Sequence, residues 1–168
     1  PESILNGDAV QMAAQLKIAI RPHCRVVAIN QAQNTLTLVD GEEIFYDQLV
    51  FALGADQIRL PLQGDGVATV LTVNDLDDYQ NFRDVIKDKK RISIIGAGLI
   101  GCEFANDLVT AGYQVDVIDI SAQPLGRLLP SAGGVFLQQK LEAAGVIFHL
   151  DTATQSINQI DEHLHLIL

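Results

Sequence analysis

The stretch Arg91-Ile92-Ser93-Ile94-Ile95-Gly96-Ala97-Gly98-Leu99-Ile100-Gly101-Cys102-Glu103-Phe104-Ala105 decides the fold. An apolar run of strand character leads into the pattern GxGxxG, written here GAGLIG, and the residues after it have the composition of a helix. The pattern alone has little specificity. Its surroundings supply it: a strand before, a helix opening on the glycines, and then Val115-Asp116-Val117-Ile118-Asp119, a second strand that ends in an acid. In such a loop Gly96 allows the tight turn, Gly98 lets the main chain approach a pyrophosphate, and Gly101 lets the helix pack closely on the strand. The free N–H groups of the helix start, from Leu99 onward, complete the cradle for an anion.

Asp119 stands close to the ~20-residue distance at which an acid hydrogen-bonds a ribose 2′-hydroxyl. A carboxylate there repels a 2′-phosphate, and Ile120, Ser121 and Ala122 bring no arginine to accept one. NAD is therefore the expected ligand of this loop, in preference to NADP or FAD. Arg127, in the following loop, either reaches the pyrophosphate or adenosine or is an exposed arginine. Glu103 suits the first turn of the helix through its interaction with the dipole. Cys102 reads as a small buried packing residue, with nothing nearby to activate it.

Working outward, two α/β-containing segments appear. Asp8 to Leu16 reads as a short helix, with Asp8 an acidic N-cap. Arg25 to Asn30, Thr35 to Val39 and Ile44 to Tyr46 are β-rich runs separated by Gln33-Asn34 and Asp40-Gly41, which predicts an antiparallel meander. Gln48 to Leu53 is continuously apolar after its first residue and suits a strand buried on both faces. Pro61, Gly64 and Gly66 mark a connection between Ile58 and Val73. Beyond it come a helix from Asn74 to Lys90, a strand over Arg91 to Ile95 and a helix over Leu99 to Ala111. A strand over Gln114 to Ile120, a helix over Ser131 to Ala144 and strands over 146–149, 153–160 and 164–168 complete the chain. This alternation predicts a parallel sheet. Residues 1–73 are expected to form one lobe and 74–168 a Rossmann-like lobe. Ile29-Asn30-Gln31 followed by Leu36-Thr37-Leu38 returns as Ile157-Asn158-Gln159 followed by Leu164-His165-Leu166, so the lobes are expected to share a meander motif. By that comparison the closing strand of the second lobe is missing, and an unpaired edge there invites pairing between chains.

Composition excludes several functions. The 168 residues carry a formal net charge of −10, with 48% hydrophobic residues. That is enough apolar material for a core and is the wrong charge balance for a nucleic-acid surface. The basic run Lys87-Asp88-Lys89-Lys90-Arg91 reads as a solvated helix end. The two cysteines, Cys24 and Cys102, form no CxxC, and a reducing cytoplasm is the expected compartment. His23, His149, His163 and His165 are not at metal-ligand spacing and are expected to face solvent; no metal site is expected. No apolar run approaches the ~20 residues of a membrane-spanning helix. Pro1-Glu2-Ser3 is not a natural translation start, which points to an excised piece of a longer chain.

A resemblance adds to this reading. Tyr46-Asp47-Gln48-Leu49-Val50-Phe51-Ala52-Leu53-Gly54-Ala55 resembles the Y-D-x-L-V-x-A-T-G-A segment of the FAD-dependent pyridine nucleotide reductases, with Leu53 in place of the usual threonine. With GAGLIGCEFANDL (Gly96 to Leu108), Val73-Asn74-Asp75-Leu76 and the order of elements, the chain is most similar to the rubredoxin-NAD reductase branch. The resemblance implies an oxidoreductase in which NADH docks on the second lobe and reduces an FAD held by the first. The flavin then releases electrons singly to rubredoxin or a similar small iron protein. It implies that Gly98, Ile100, Gly101, Glu103 and Asp119 contact NAD, with Glu103 near the nicotinamide, and that Val26, Ala52, Leu53, Gly54 and Asn74 border the FAD. The family's N-terminal flavin glycine loop and its later G-D segment do not occur in these residues, so the first lobe is expected to be partial. Rubredoxins are acidic, so a docking patch is expected either in Lys87 to Arg91 or outside this chain.

Overall fold

The structure is a computed structural model and describes residues 7–168; the Pro1-Glu2-Ser3 start lies outside the described residues. The chain divides into two compact units, the first ending at Asp56 and the second running from Gln57 to Leu168. The second unit thus starts earlier than the expected boundary after Val73. The reason is packing: Gln63 bridges to Ser156, and Gly66 lies against the Ile157 and Leu164 side chains, which ties the connecting segment to the end of the chain.

In the first unit, α1 (Ala9–Leu16) starts at Asp8, whose side chain accepts the Gln11 N–H while the Gln11 side chain accepts the Asp8 N–H. This reciprocal pair satisfies two donors that a helix start otherwise leaves open. The strands β1 (Val26–Asn30), β2 (Thr35–Leu38) and β3 (Glu43–Phe45) follow in antiparallel order β1-β2-β3. Asn30 closes the first turn through its side-chain oxygen, which accepts from Ala32 and Gln33 N–H. Asp40 does the same for Glu42 N–H at the second turn. Arg21 then clamps Glu42 through a two-pronged contact of 2.9 and 2.7 Å.

The apolar run 48–53 departs from expectation. It forms no strand, and Val50 and Leu53 are 83% and 87% exposed. A strand buried on both faces needs neighbours on either side and layers above and below. Among the described residues the run has no pairing partner, so apolarity alone does not make it a strand.

The second unit carries a 3-10 turn (Asp65–Thr69), α2 (Leu76–Ile86), β4 (Arg91–Ile95), α3 (Leu99–Thr110), β5 (Gln114–Ile118), α4 (Ser131–Ala144), β6 (Val146–His149), β7 (Ser156–Ile160) and β8 (His163–Ile167). β4, β5 and β6 pair parallel in that order, with Ile92 opposite Val115 and Val117 opposite Phe148. This is the mixed α/β architecture with a parallel sheet and antiparallel meanders that the alternation predicts. Val115 and Val117 bury completely on the side that receives Cys102, Ala105 and Leu108 of α3, Leu141 of α4, and Phe82 and Ile86 of α2. Since side chains alternate across a strand, Asp116 points to the other face.

The internal repeat holds as a shared hairpin but not in register. Ile29 pairs with Leu36 in the first copy, whereas Ile157 pairs with Leu166 in the second. The shorter connection between β7 and β8, turning on Asp161 at φ 54°, brings the second pair of strands together two residues further along.

Candidate functional site

The loop between β4 and α3 is shaped by its glycines in three different ways. Gly96 adopts φ 114°, a conformation that side-chain-bearing residues avoid. Gly101 has no room for a side chain, since a Cβ there would overlap the Gly96 carbonyl oxygen and meet the Ile94 side chain. Helix α3 therefore sits directly on the turn. Gly98 is different: its φ of −73° is ordinary, and a Cβ built on it meets nothing within 4 Å. The protein itself does not require glycine at this position. The open space beside Gly98, at a helix start with no side-chain cap, is a cradle that a Cβ would partly fill.

Asp119 follows β5 and is half-buried beside this loop. Its Oδ2 accepts the Ala97 N–H at 2.6 Å and its Oδ1 accepts the Ser121 N–H at 2.7 Å. Burial by itself raises the carboxyl's pKa, but the Ala97 and Ser121 N–H groups and the positive charge of Arg127 outweigh it and hold the carboxyl below the usual range. An ionised carboxylate has about four acceptor positions, so lone pairs remain for a hydroxyl. The Ala97 peptide also fixes the following loop, because its carbonyl accepts the Leu125 N–H at 2.8 Å. Leu125 stands at φ 53°, and beyond it Gly126 and Arg127 form the far wall.

Gly98, Asp119, Ser121 and Arg127 thereby line one cavity of about 460 Å³. The structure brings together residues from the glycine loop, the strand-end acid and the next loop, separated by up to 29 positions in the sequence (98 to 127). Gly96 and Gly101 shape the loop without lining the cavity. Leu99 and Ile100 are about half exposed on the first turn of α3, and Glu103 is exposed one turn on. Cys102 is buried, its Sγ 3.5 Å from the Ala97 carbonyl oxygen, and burial followed by the Asp119 charge pushes its thiol up in pKa, as suits a packing residue.

The residues expected to border the flavin are distributed over both units. Val26 on β1, with Ala52, Leu53 and Gly54, belongs to the first; Asn74, whose N–H donates to Asp78 Oδ2 at 3.0 Å, belongs to the second. Gly54 stands at φ 72° with open space where a Cβ would be, beside the exposed Leu53. An apolar edge next to an open glycine fits a position where a flat ring system approaches the main chain.

Sequence reasoning missed one cluster. His149, expected to face solvent, is half-buried with its Nε2 2.9 Å from Asp116 Oδ1, and Arg91 reaches the same carboxylate at 2.7 and 3.0 Å. The Arg91 hydrogen bonds hold Asp116 below the usual carboxylate range against the opposing effect of burial, and His149 adds to them. Because an ionised carboxylate only accepts, the His149 Nε2 carries the proton. Residues 33 positions apart on neighbouring strands give no local signal of this contact.

The basic run occupies a different place. Lys87, Lys89 and Lys90 line a second cavity of about 450 Å³ with Gly112 and Tyr113. It lies where β4 and β5 begin, and a five-residue strand puts it roughly 16 Å from the glycine loop. Among the described residues no group of three His, Cys, Asp or Glu side chains is placed to hold a metal ion. No helix among them is long and apolar enough to cross a membrane.

Residues 3–168 match the family model described as pyridine nucleotide-disulphide oxidoreductase. A rubredoxin-NAD(+) reductase of Acinetobacter baylyi is 45% identical over 167 residues, covering 96% of this chain and 42% of that protein. One of Alcanivorax borkumensis is 38% identical over 151 residues, covering 90% of this chain and 39% of that protein. The chain thus spans about two fifths of the length of these relatives. A crystal structure of a ferredoxin reductase from Rhodopseudomonas palustris superposes with a TM-score of 0.83 at 26% identity, over 98% of this chain and 40% of that one. The glycine loop, the strand-end acid and the parallel sheet that carries them thus sit in a chain that belongs to the pyridine nucleotide-disulphide oxidoreductase family.

Proposed function

We propose that this chain is the NADH-binding unit, with part of the flavin-binding unit, of an FAD-dependent reductase that passes electrons from NADH to rubredoxin or a similar small iron protein. The observation that carries the reading is the meeting of Gly98, Asp119 and Arg127 on one cavity. Gly98 leaves room for a pyrophosphate against the start of α3, whose N–H groups favour an anion. Asp119, already ionised and held by two main-chain donors, accepts from a ribose 2′-hydroxyl and repels a phosphate at the same position. Arg127 offers its charge to the pyrophosphate or adenosine. Ile100 and Glu103, exposed on the first turns of α3, would border the nicotinamide end. Val26, Ala52, Leu53, Gly54 and Asn74 would border FAD.

Bound flavin would supply the redox chemistry, taking a hydride from NADH and giving up electrons one at a time. The chain's own task is to orient the dinucleotide and to select it. Two relatives that share this chain's sequence closely carry the name rubredoxin-NAD(+) reductase, which supports the acceptor class. The free thiols of Cys24 and Cys102 suit a reducing compartment such as the cytoplasm.

The test is anaerobic spectroscopy of the full-length, flavin-loaded protein, followed by turnover with purified acceptors. Bleaching of the flavin by NADH but poorly by NADPH, and faster turnover with rubredoxin than with a ferredoxin, is expected. Absence of flavin reduction by NADH overturns the reading, and a ferredoxin preference replaces its acceptor.

A further inference from the structure

We propose that Asp116 and His149 are positioning residues for Asp119, and that they thereby set how sharply the site separates a ribose 2′-hydroxyl from a 2′-phosphate. This rests on the NADH reading above. Arg91, Asp116 and His149 lie on one diagonal across the parallel sheet. Ser93 is opposite Asp116, which is opposite Ile147, so Arg91 two residues before Ser93 and His149 two residues after Ile147 share the Asp116 face. The line therefore runs from the beginning of β4, through the middle of β5, to the last residue of β6.

At that last residue the diagonal meets the nucleotide site. The His149 main-chain carbonyl accepts the Asp119 N–H at 3.0 Å, and the Asp119 carbonyl accepts the Thr152 N–H at the same distance. The Asp151 N–H donates to the Ser121 carbonyl at 3.1 Å. The main chain of residues 119–121 is thus held along the segment that begins with His149. Asp119 spends both carboxylate oxygens on main-chain donors, so the placement of its own main chain decides where its remaining lone pairs point. The His149 ring, fastened to Asp116, fixes the peptide that fixes Asp119.

Stability alone is a poor explanation for the cluster. Asp116 is 4% exposed, but its partner Arg91 is largely exposed, and an ion pair with one end in solvent contributes little to stability. What the charged diagonal provides and an apolar side chain does not is a directional tie. Its strands can then hold a carboxylate's aim to within a fraction of an ångström, which hydrogen-bond selection of a hydroxyl demands.

The experiment measures calorimetric binding of ADP-ribose and of ADP-ribose 2′-phosphate to the full-length, flavin-loaded protein. Neither probe carries a hydride, so the readout is independent of turnover. His149→Ala is expected to lower the preference for ADP-ribose about three- to tenfold. His149→Gln, whose amide can still donate to Asp116, is expected to keep it within about twofold. Unchanged preference in His149→Ala, or equal loss in the alanine and glutamine variants, overturns the positioning role. If His149→Ala does not fold, Arg91→Met decides: Arg91 is largely exposed, and a reduced preference supports the role while an unchanged one overturns it. If the unsubstituted protein shows no preference, the NADH reading fails and the proposal with it; a preference that survives every variant removes the proposal alone.

Discussion

Asp119 Oδ2 accepts the Ala97 main-chain N–H at 2.6 Å, which ties the end of β5 to the glycine turn after β4. The acid is therefore part of the loop's construction. Asp119→Ala should lower the preference for NADH over NADPH about tenfold or more, the scale of losing a hydrogen bond to a charged acceptor and a phosphate-repelling charge. The ratio of dissociation constants measures it, and an unchanged ratio contradicts the ribose assignment.

Two glycines of the same loop should respond oppositely to the same substitution. Gly101→Ala forces a Cβ onto the Gly96 carbonyl and should cost about 2 kcal/mol or more in unfolding free energy. Gly98→Ala meets open space at an ordinary φ and should cost no more than about 1 kcal/mol. Its effect should appear instead as weaker ADP-ribose binding, by about tenfold, a 1.4 kcal/mol difference. Denaturant unfolding beside calorimetry separates the two.

Acid should release the Asp116 cluster. Its carboxyl titrates lower in the folded protein than the usual value of about 4, so the unfolded chain binds the proton more readily. The stabilisation is fully present above about pH 4 and is lost as pH falls through the lowered folded value. Asp116→Asn should flatten this part of the stability–pH curve, measured by denaturant midpoints between about pH 2 and 6. An identical slope in the variant contradicts the assignment.

The outer edge of β4 has no partner among the described residues, since β4 pairs only with β5. The isolated chain is expected to self-associate through such an edge. Sedimentation showing only monomer, with the second unit fully protected in hydrogen exchange, would count against that.

Much of this architecture was legible because it is local. The bounds of β4, α4 and β6 agree with the sequence reading, since Gly96 ends one strand, Pro130 precedes the helix, and Gly145 at φ 109° ends it. The glycine loop was legible for the same reason. What failed is non-local. Residues 48–53 carry the apolarity of a buried strand without a pairing partner, and apolarity cannot report where partners lie. His149 reads as an exposed residue and nothing local marks Asp116; only the parallel register brings them 2.9 Å apart. The repeat from Ile29 to Leu38 identified the second hairpin, yet its register depended on the length of the turn.

The most direct measurement is an amide NMR titration of the protein with NAD⁺. The account predicts that the largest shifts fall on Gly98, Ser121, Gly126 and Arg127, and that Asp119→Ala weakens them. Shifts concentrated instead around Lys89 and Gly112 at the other end of the sheet, or no shifts at all, would contradict it.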